Sequence, residues 1–219
     1  TGQPTICLCN YPTTATALYQ FNDNVNDTCG NYNGTPTTIS YVNGKFSKAA
    51  SFNGTSSTIN FGNSDVFSPS VNPLSFSLWI KTTNNTRYIF SKGSSGAYEY
   101  GLLVTASGQI ELVAYNLSAS SSVVITTSDA YNDGNWHHVV AIYLPNSLGS
   151  GNFKIYVDGE EKATSSTSLA MGNSSNALIF GKKFDVSAEY DGLIDQARIY
   201  DSVLSASNIT ALYNEVPCN

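Results

Sequence analysis

The sequence predicts an all-β protein, an antiparallel sandwich of two sheets with one short C-terminal helix. Short segments rich in β-branched and aromatic residues recur at a spacing of roughly 8–12 residues, with Gly, Asn, Asp and Ser between them. One late segment, residues 205–213, has a helical pattern. Ser205 is a suitable N-cap there, and Ile209 and Leu212 follow at helical spacing. A chain of 219 residues can bury a core of this kind as one domain.

The clearest strands flank a predicted hairpin in the second half of the chain. Residues 139–143 are β-branched and aromatic, as strands prefer. Phe153, Ile155 and Val157 alternate with more polar neighbours, which is the period of a half-buried strand. Asp158-Gly159 follows directly, and this dipeptide favours a type I′ turn because both central positions need a positive φ. We therefore expect a hairpin with its turn at Asp158.

The remaining strands are predicted from the same patterns. In residues 74–81, Phe76, Leu78 and Ile80 share one face, while Trp79 lies on the other and is expected to be covered by a loop. The other predicted strands are residues 17–21, 88–91, 98–105, 109–116, 123–127, 177–181 and 192–200. Residues 51–62 also alternate apolar and polar side chains, with a turn predicted at Asn53-Gly54.

Two stretches near the N-terminus lack a strand pattern. Residues 22–36 are dense in Asn, Asp and Gly, so a long loop is predicted. Residues 1–16 are rich in Pro, Thr and Cys and have no clear period, so they are predicted to form an N-terminal arm or linker. Residues 17–219 are then expected to form a single domain.

Charge and polarity narrow the range of partners. Charged residues make up only 12% of the chain, about half the usual share, and the formal net charge is −6. Nucleic acids and anionic membranes require a positive surface, so neither is expected as a partner. No run of about 18 apolar residues occurs, so no membrane insertion is predicted. A surface rich in Ser, Thr and Asn is typical of extracellular and viral exterior proteins.

Four cysteines lie towards the two ends of the chain, at Cys7, Cys9, Cys29 and Cys218. Cys7 and Cys9 are too close in sequence for an easy mutual bridge. Pairing of either one with Cys29 or Cys218 would suit an oxidising, extracellular setting, and the sequence leaves the connectivity open. Zinc binding is the weaker alternative, because zinc ligands come in spaced pairs and Cys29 and Cys218 have no nearby partner.

A series of short motifs follows in a specific order and spacing. They are Leu18-Tyr19-Gln20-Phe21, Asp27-Thr28-Cys29-Gly30-Asn31, Asn33-Gly34, Ala50-Ser51-Phe52-Asn53-Gly54, Phe76-Ser77-Leu78-Trp79-Ile80, Asp133-Gly134-Asn135-Trp136-His137-His138-Val139, Ile155-Tyr156-Val157-Asp158-Gly159 and Gly192-Leu193-Ile194-Asp195-Gln196-Ala197-Arg198-Ile199-Tyr200. Together they resemble the laminin-G-like, concanavalin A-like jelly-roll family over residues 17–215. The opening, ALYQF followed by NDTCGNYNGT, is also similar to modules of bacteriophage structural proteins.

The resemblance to this family implies a fold and a range of functions. The fold is a pair of curved antiparallel sheets packed face to face. Members are mostly non-catalytic modules that bind glycans or proteins, often with a calcium site. They occur on adhesins, secreted enzymes and virus particles.

The carboxylates and histidines of the chain do not form a recognisable catalytic pattern. A glycoside hydrolase of this fold would resemble the laminarinase-type enzymes, with two carboxylates in a Glu-x-Asp-x-x-Glu run, and the chain contains no such run. Asp158, Glu160 and Glu161 cluster on the predicted hairpin turn, where acidic residues are usually only solvated. His137 and His138 point to opposite faces of a strand, so they cannot hold one metal ion together. A non-catalytic protein is therefore predicted.

Asp195 is a candidate metal ligand. Strand alternation places it on the same face as the apolar Ala197, and a buried carboxylate needs a cation or several hydrogen-bond donors. Ca²⁺ collects six to eight oxygen ligands, and the loop that carries Asp23 and Asp27 is rich in oxygens. The sequence thus predicts a calcium site formed by Asp23, Asp27 and Asp195. The alternatives are a hydrogen-bonded Asp195 or an ion pair with Arg198 or a lysine.

Tyrosines are the candidate glycan-binding residues. Their rings can stack on the C–H faces of sugars, and their hydroxyls can bind sugar hydroxyls. Tyr98, Tyr100 and Tyr190 lie near predicted loops and are predicted to contact a ligand, and Tyr115 and Tyr131 share this placement. The alternative for each of them is half-buried packing in the sandwich.

Two functions fit these observations. The first is a non-catalytic module on an extracellular or virion surface that binds glycans in adhesion or host attachment. The second is a purely structural virion exterior protein, such as a capsid decoration, head fibre or tail fibre module, without sugar binding. The expected partners are glycans or other surface and virion proteins, and either function is compatible with an oligomer.

Overall fold

The structure, a computed structural model, describes residues 9–70, 72–85, 87–94, 97–116, 121–144, 152–167, 169–183 and 189–216. The strands are β1 Ala17–Tyr19, β2 Thr35–Thr37, β3 Ser40–Asn43, β4 Lys48–Asn53, β5 Thr58–Asn60, β6 Leu74–Lys81, β7 Arg87–Ser94, β8 Ala97–Val104, β9 Gln109–Tyr115, β10 Ser122–Ala130, β11 His137–Leu144, β12 Asn152–Val157, β13 Glu160–Ser165, β14 Leu178–Phe180 and β15 Asp191–Tyr200. A 3-10 turn spans Asp65–Phe67, and helix α1 spans Ala206–Tyr213. The predicted all-β class with one short C-terminal helix is confirmed.

The strands form antiparallel sheets that pack face to face. Within the described residues, the first sheet has eight strands in the order β13-β12-β11-β6-β15-β4-β3, with β1 also paired to β15. The second sheet has seven described strands in the order β10-β9-β8-β7-β14-β5-β2. Ala17 of β1 lies opposite Ile199 of β15, so the first and last strands are neighbours. The architecture is the predicted jelly-roll sandwich.

Two hairpins have tight turns, and the one at Asp158 is the predicted turn. Asp158 and Gly159 have φ values of 52° and 85°, so both central residues of the β12–β13 hairpin are in the left-handed region that a type I′ turn requires. Gly108 has a φ of 82°, and its N–H donates to the Thr105 carbonyl at 3.0 Å. Turn chemistry therefore sets the register of both hairpins.

The core between the sheets is built around aromatic rings. Phe76 stacks on Phe90 with ring centroids 4.2 Å apart, and Phe90 stacks on Phe180 at 5.3 Å. Leu78 and Ile80 point inward with Phe76, so the predicted inward face of β6 is confirmed. Replacing a buried ring of this kind by Ala typically costs about 3–5 kcal/mol.

Two short strands, β2 and β3, lie where no strand is predicted. Every residue of β2 is exposed, and Pro36 fits there because β2 is an edge strand. In β3, Tyr41 alone is partly buried. Neither strand buries one face, so neither shows the alternation that predicts a strand. The turn predicted at Asn53-Gly54 within residues 51–62 is present. It separates β4 from β5, and Gly54 has a φ of 71°.

Helix α1 covers part of the outer surface of the first sheet. Ser205 is the N-cap, as predicted, and its side chain accepts a hydrogen bond from the Asn208 N–H at 3.2 Å. Ile209 and Leu212 are buried against the sheet. The residues beneath and beside them are Ala15, Val140, Ile142, Tyr200 and Leu204. In the described part of the chain, no helix has the length and apolar character needed to cross a membrane.

Residues 9–16 pack against the sandwich instead of extending from it as an arm. Ala15 is buried in the cluster beneath α1. The Tyr11 hydroxyl donates to the Ala211 carbonyl at the helix, 3.3 Å away. The predicted domain boundary at residue 17 therefore lies inside packed structure.

A disulfide fastens this segment. Cys9 is bonded to Cys29, with Cα atoms 5.5 Å apart and a sequence separation of 20 residues. This is one of the pairings that the sequence left open, and it excludes zinc at these two positions. Cys7 and Cys218 lie outside the described residues.

Candidate functional site

Asp27, a predicted calcium ligand, is buried and fully engaged by the backbone. The N–H groups of Leu18 and Cys29 each donate to Oδ1 at 2.9 Å. The N–H groups of Asn31 and Tyr32 each donate to Oδ2 at 3.0 Å. Hydrogen bonds to a carboxylate are stronger than neutral ones, so Asp27 anchors the loop after β1.

Asp195 is fully buried, but it lies on the face opposite to the predicted one. Gln196 has a φ of 48°, and the register between β15 and β6 shifts between Asp195 and Arg198. This β-bulge inverts the alternation of side chains. Ala197 therefore points into the core, while Asp195 lies beside Trp79 on the outer face of the first sheet.

The Asp195 carboxylate holds the turn before β4. The Phe46 N–H donates to Oδ2 at 2.9 Å, and the Gln196 N–H donates to Oδ1 at 2.7 Å. Burial raises the pKa of Asp195 to about 7, although these backbone donors act in the opposite direction. Of the alternatives left open, the hydrogen-bonded carboxylate is the observed one.

The structure does not bring the three predicted calcium ligands together. Asp23 is exposed and forms an ion pair with Lys48, with Nζ 2.7 Å from Oδ1. In the part of the chain that the structure describes, no group of three or more His, Cys, Asp or Glu side chains is placed to hold a metal ion. Calcium binding by Asp23, Asp27 and Asp195 stays a prediction, and the described geometry provides no coordination shell for it.

The paired histidines point to opposite faces, as predicted. His137 lies between two carboxylates, with Nδ1 2.8 Å from Asp158 and Nε2 3.1 Å from Asp133. His138 is buried, and its Nε2 lies 2.8 Å from the Ser77 hydroxyl. The hydrogen bond to Asp158 raises the pKa of His137, whereas burial lowers the pKa of His138 to about 3. Both imidazoles tie β11 to its neighbours.

The acidic hairpin turn carries surface ion pairs. Lys162 Nζ lies 2.7 Å from a Glu160 oxygen, and Lys154 Nζ lies 2.7 Å from a Glu161 oxygen. The Tyr156 hydroxyl also donates to Glu161 at 2.8 Å. The hydrogen bond from Lys154 lowers the pKa of Glu161. Both carboxylates thus form ion pairs at the surface of the hairpin.

Tyr100 and Tyr190 belong to the core, contrary to their predicted role at a ligand. Both rings are fully buried. The Tyr100 hydroxyl donates to the Phe67 carbonyl at 2.6 Å. The Tyr190 ring packs edge-on against Phe52, with centroids 5.8 Å apart. A ligand in solvent cannot reach either ring in this conformation.

Tyr98 does lie at the surface, in a cluster that we call the tyrosine platform: Tyr88, Tyr98 and Tyr115. The platform is on the outer face of the second sheet, and all three rings are partly exposed. The rings of Tyr98 and Tyr115 have centroids 5.2 Å apart with a 53° angle between planes. They therefore form an angled surface, not a single flat stack.

Strand alternation across β9 explains how the platform arises. Ile110, Leu112 and Ala114 point into the core. The intervening residues Glu111 and Tyr115 point outward and are partly exposed. Strand pairing places residues of β8 and β10 beside these two on the same outer face. They are Gly101, Leu103, Ser122, Val124 and Thr126.

Gly101 gives Tyr88 room to lie flat over the sheet. A Cβ at position 101 would be 2.8 Å from Cε1 of Tyr88, so a side chain there would displace the ring. Lys183 Nζ lies 5.5 Å from the centroid of the Tyr88 ring, within cation–π range. The Tyr88 ring thus contacts both the glycine and the lysine.

Glu111 adds a carboxylate beside the platform. Its Oε2 accepts a hydrogen bond from the Thr126 hydroxyl at 3.1 Å. Burial is the main cause of the raised pKa of Tyr88, and nearby Tyr115 and Glu111 raise it further. The pKa of Tyr115 is raised by burial and by Tyr98 and Glu111. The phenols of Tyr88 and Tyr115 therefore remain protonated, able to donate and accept hydrogen bonds.

The outer face of the first sheet also carries an aromatic residue, but that residue is covered. Trp79 is 3% exposed. Tyr213 of α1 stacks on it at 5.9 Å, and Phe46 packs edge-on at 6.1 Å. Lys45 Nζ lies 4.1 Å from the Trp79 ring centroid. The predicted cover of Trp79 is therefore confirmed, with the helix contributing as well as a loop.

Sequence reasoning missed Tyr88 and Glu111. Alternation in residues 109–116 does place Glu111 and Tyr115 on one face, so this pair could have been found from the sequence. Tyr88 joins them through strand pairing, with Tyr88 opposite Leu103 and Leu103 opposite Glu111. That register is a tertiary feature that the local sequence does not contain.

The chain is similar to short segments of two much longer curated proteins. The chain is 26% identical over 162 residues to the sushi, von Willebrand factor type A, EGF and pentraxin domain-containing protein 1 of Rattus norvegicus. It is 27% identical over 148 residues to the adhesion G-protein coupled receptor V1 of Danio rerio. These matches cover 68% and 64% of the chain but only 4% and 2% of the relatives, respectively.

A solved structure resembles the whole domain. It is domain 4 of AbnA, a GH43 extracellular arabinanase from Geobacillus stearothermophilus, in complex with arabinotriose. The two share 26% sequence identity with a TM-score of 0.72, and the similarity covers 91% of this chain and 98% of that one.

The sequence profile Laminin_G_3, described as concanavalin A-like lectin/glucanases superfamily, matches residues 53–210. The match starts at the end of β4 and reaches α1, so it includes most strands of both sheets. The further resemblance to bacteriophage structural proteins stays a prediction. The chain belongs to the laminin-G-like branch of the concanavalin A-like lectin/glucanases superfamily.

Proposed function

We propose that this domain is a non-catalytic glycan-binding module on an extracellular or virion surface, acting in adhesion or host attachment. The tyrosine platform is its binding face. The observation that carries the proposal is the grouping of three partly exposed tyrosine rings with the Glu111 carboxylate on an outer sheet face. Clustered aromatic and polar groups of this kind are typical of ligand sites.

The chemistry of the platform suits a sugar. An aromatic ring has an electron-rich face that attracts the weakly positive C–H groups on the apolar side of a pyranose or furanose. Protonated phenols and a carboxylate can donate to and accept from the sugar hydroxyls around that side. Because Tyr98 and Tyr115 are inclined by 53° to each other, two successive units of an oligosaccharide can each meet one ring.

The similarity to an arabinanase domain supports the same class of ligand. Domain 4 of AbnA was solved with arabinotriose bound, and its fold matches nearly the whole of this chain. Because the two domains are only 26% identical, we propose an oligosaccharide as the class of ligand. Arabinan is then one candidate among neutral glycans.

The surface location is supported by two further features. The Cys9–Cys29 disulfide is typical of proteins in oxidising compartments. The low share of charged residues gives the neutral, hydroxyl-rich surface expected of an exterior protein. Both are compatible with a secreted protein and with a virion component.

The test is a glycan array followed by calorimetry on the best oligosaccharide. We expect wild-type binding and at least a tenfold loss of affinity in Tyr98→Ala and in Tyr115→Ala, equivalent to about 1.4 kcal/mol each. Tyr41→Ala is the matched control, because Tyr41 is a partly buried tyrosine of edge strand β3 in the other sheet. Its affinity should equal that of the wild type.

Two results would contradict the proposal. Unchanged affinity in both platform variants would show that the glycan binds at another surface of the domain. Absence of binding to every glycan, together with co-purification with assembled virions, would favour the purely structural alternative of a capsid decoration, head fibre or tail fibre module. A positive hydrolysis assay would overturn the non-catalytic part.

A further inference from the structure

A second concave site lies at the rim of the first sheet, where β6 ends and β11 and β15 begin. It has a volume of about 230 Å³, and its lining includes Lys81, Thr83, Asn84, Gly134, Asp191 and Gly192. We call it the rim pocket. No residue of the tyrosine platform lines it.

Hydrogen bonds between its walls hold the rim pocket in shape. The Thr82 hydroxyl donates to the Asp191 carbonyl at 2.6 Å and accepts from the Asn84 N–H at 3.0 Å. The Gly134 N–H donates to the Thr82 carbonyl at 3.0 Å. The β6–β7 loop is thereby tied to the start of β15 and to the turn before β11, so the polar groups of the pocket sit on a fixed frame.

Two residues that line the rim pocket, Lys81 and Asp191, carry opposite charges and are not engaged by other protein groups in the described structure. Lys81 and Asp191 are partly buried. Within the described residues neither side chain has a hydrogen-bond or ion-pair partner, and the two are not paired with each other. A partly exposed charged group without a protein partner is hydrated, and a ligand can take the place of that water. Here the donor and the acceptor remain available to a ligand that enters between them.

Position 192, in the wall of the rim pocket, accommodates only glycine. A Cβ at position 192 would lie 2.5 Å from the Lys81 carbonyl oxygen and 3.0 Å from Cζ of Tyr190, so no side chain fits there. The hydroxyl of fully buried Tyr190 has no hydrogen-bond partner in the described structure. An unsatisfied phenol thus lies directly behind the glycine that forms the pocket wall.

We infer that the rim pocket binds a single sugar unit through two neighbouring hydroxyl groups. One hydroxyl accepts from the Lys81 ammonium, the other donates to the Asp191 carboxylate, and the Asn84 amide completes the set. The lysine and aspartate cancel in charge, which fits a neutral diol. The pocket is smaller than the roughly 300–1,000 Å³ of sites for drug-sized ligands, so it holds one ring and not a chain.

This inference rests on the proposed function in taking the domain to be a glycan-binding module, but it assigns a separate site. A polymer that engages the tyrosine platform and the rim pocket together would bind more tightly than either site alone, because the second contact is intramolecular. A monosaccharide can fill the rim pocket without the platform. That difference makes the two sites separable by experiment.

The test is NMR titration of the isotope-labelled domain with L-arabinose, D-glucose, D-galactose and N-acetyl-D-glucosamine. At least one of these sugars should shift the backbone amides of Thr83, Asn84 and Gly192. Lys81→Met and Asp191→Asn should each weaken that binding about tenfold or more, because each removes a charged hydrogen-bond partner. Asp129→Asn is the matched control, since Asp129 is an exposed aspartate on edge strand β10.

A steric variant complements the charge variants. Thr83 is exposed, so Thr83→Phe should block the pocket without disturbing the fold and should abolish the amide shifts. Shifts that persist in Asp191→Asn or Thr83→Phe would overturn the inference. If an oligosaccharide shifts the platform amides while no sugar shifts the rim amides, the sugar site in the rim pocket is refuted and the proposed function stands. If neither set responds to any sugar, both are overturned.

Discussion

The two outer faces of the sandwich both carry aromatic residues, but one face is sealed and the other is open. On the first sheet, Trp79 lies beneath α1 and the loop that carries Lys45. On the second sheet, Tyr98 and Tyr115 are partly exposed, and Val124 on the same face is 52% exposed. The contrast lies in what covers each face and not in its aromatic content.

Because α1 and a loop lie over it, the outer face of the first sheet is buried in the same way as the core between the sheets. Beneath α1, charged groups are satisfied internally: Arg198 and Glu215 form an ion pair with side chains 1% and 2% exposed. On the open face, rings and hydroxyls remain in contact with solvent and can exchange water for a ligand. Grouped apolar surface of this kind tends to mark an interaction site. Mutations should therefore affect stability on the first face and binding on the second.

The largest expected effect is at the ion pair that fixes the C-terminal segment to the first sheet. Arg198 Nη2 lies 2.8 Å from Oε2 of Glu215. Arg198→Met leaves the Glu215 carboxylate buried without this partner, so the free energy of unfolding should fall by about 3–5 kcal/mol in urea denaturation. Lys154→Met is the control, because it breaks an exposed pair worth at most about 1 kcal/mol. Equal losses in the two variants would refute the sealed-face interpretation.

A matched pair of aromatic truncations compares the two faces directly. Trp79→Ala removes a ring packed on Tyr213 and Phe46, and should cost about 3 kcal/mol or more. Tyr98→Ala removes a partly exposed ring and should cost about 1 kcal/mol or less. Thermal and urea unfolding would measure both losses. A larger loss at Tyr98 than at Trp79 would reverse the assignment of structural and functional faces.

Asp195 should make the stability of the sealed face depend on pH. Its folded pKa of about 7 lies above the ordinary value of 3.8, because burial disfavours the ionised carboxylate. The stability that this residue contributes is therefore fully present below about pH 4 and is lost as pH rises towards 7. Asp195→Asn lacks this titration. The stability of the wild type relative to the variant should fall by about 2 kcal/mol or more between these pH values.

The comparison for Asp195 uses the difference between two proteins, because other groups titrate in the same range. His138 has a pKa lowered to about 3, so its contribution changes in the opposite direction, rising with pH up to about 6.5. This contribution is common to the wild type and Asp195→Asn and cancels in the difference. A difference that stays constant from pH 4 to pH 7 would show that Asp195 is not perturbed.

Residues that bury one face were predictable from the sequence, and residues placed by tertiary register were not. Phe76, Leu78 and Ile80 alternate without interruption, so their inward face follows from the sequence. Asp195 was assigned to the wrong face because the bulge at Gln196 inverts the alternation, and a Gln at a positive φ gives no local signal. The strands at residues 98–105, 109–116 and 123–127 were predicted from the same alternation of apolar side chains.

The tyrosine platform was predicted only in part, because the burial of a tyrosine also depends on tertiary structure. The sequence places Tyr98, Tyr100 and Tyr190 alike near loops, but Tyr98 is partly exposed while Tyr100 and Tyr190 pack in the core. A tyrosine has both an apolar ring and a polar hydroxyl, so its type does not reveal whether it is buried. The platform with Tyr88 depends on pairing between β7, β8 and β9, which no local pattern specifies.

The smallest expected effect is at the rim, where His137 is partly exposed next to buried His138. Hydrogen bonds to Asp158 and Asp133 raise the pKa of His137 above its ordinary 6.5. Its stabilising contribution is thus fully present below about pH 6.5 and is lost as pH rises through the raised pKa. His137→Gln should cost less than about 1 kcal/mol at pH 6 and still less at pH 9. NMR titration of both imidazoles would test the cause, because His138 should remain neutral throughout this range while His137 titrates above 6.5. If His138 also gained a proton between pH 9 and pH 5, α1 would not seal the face that His138 shares with Trp79.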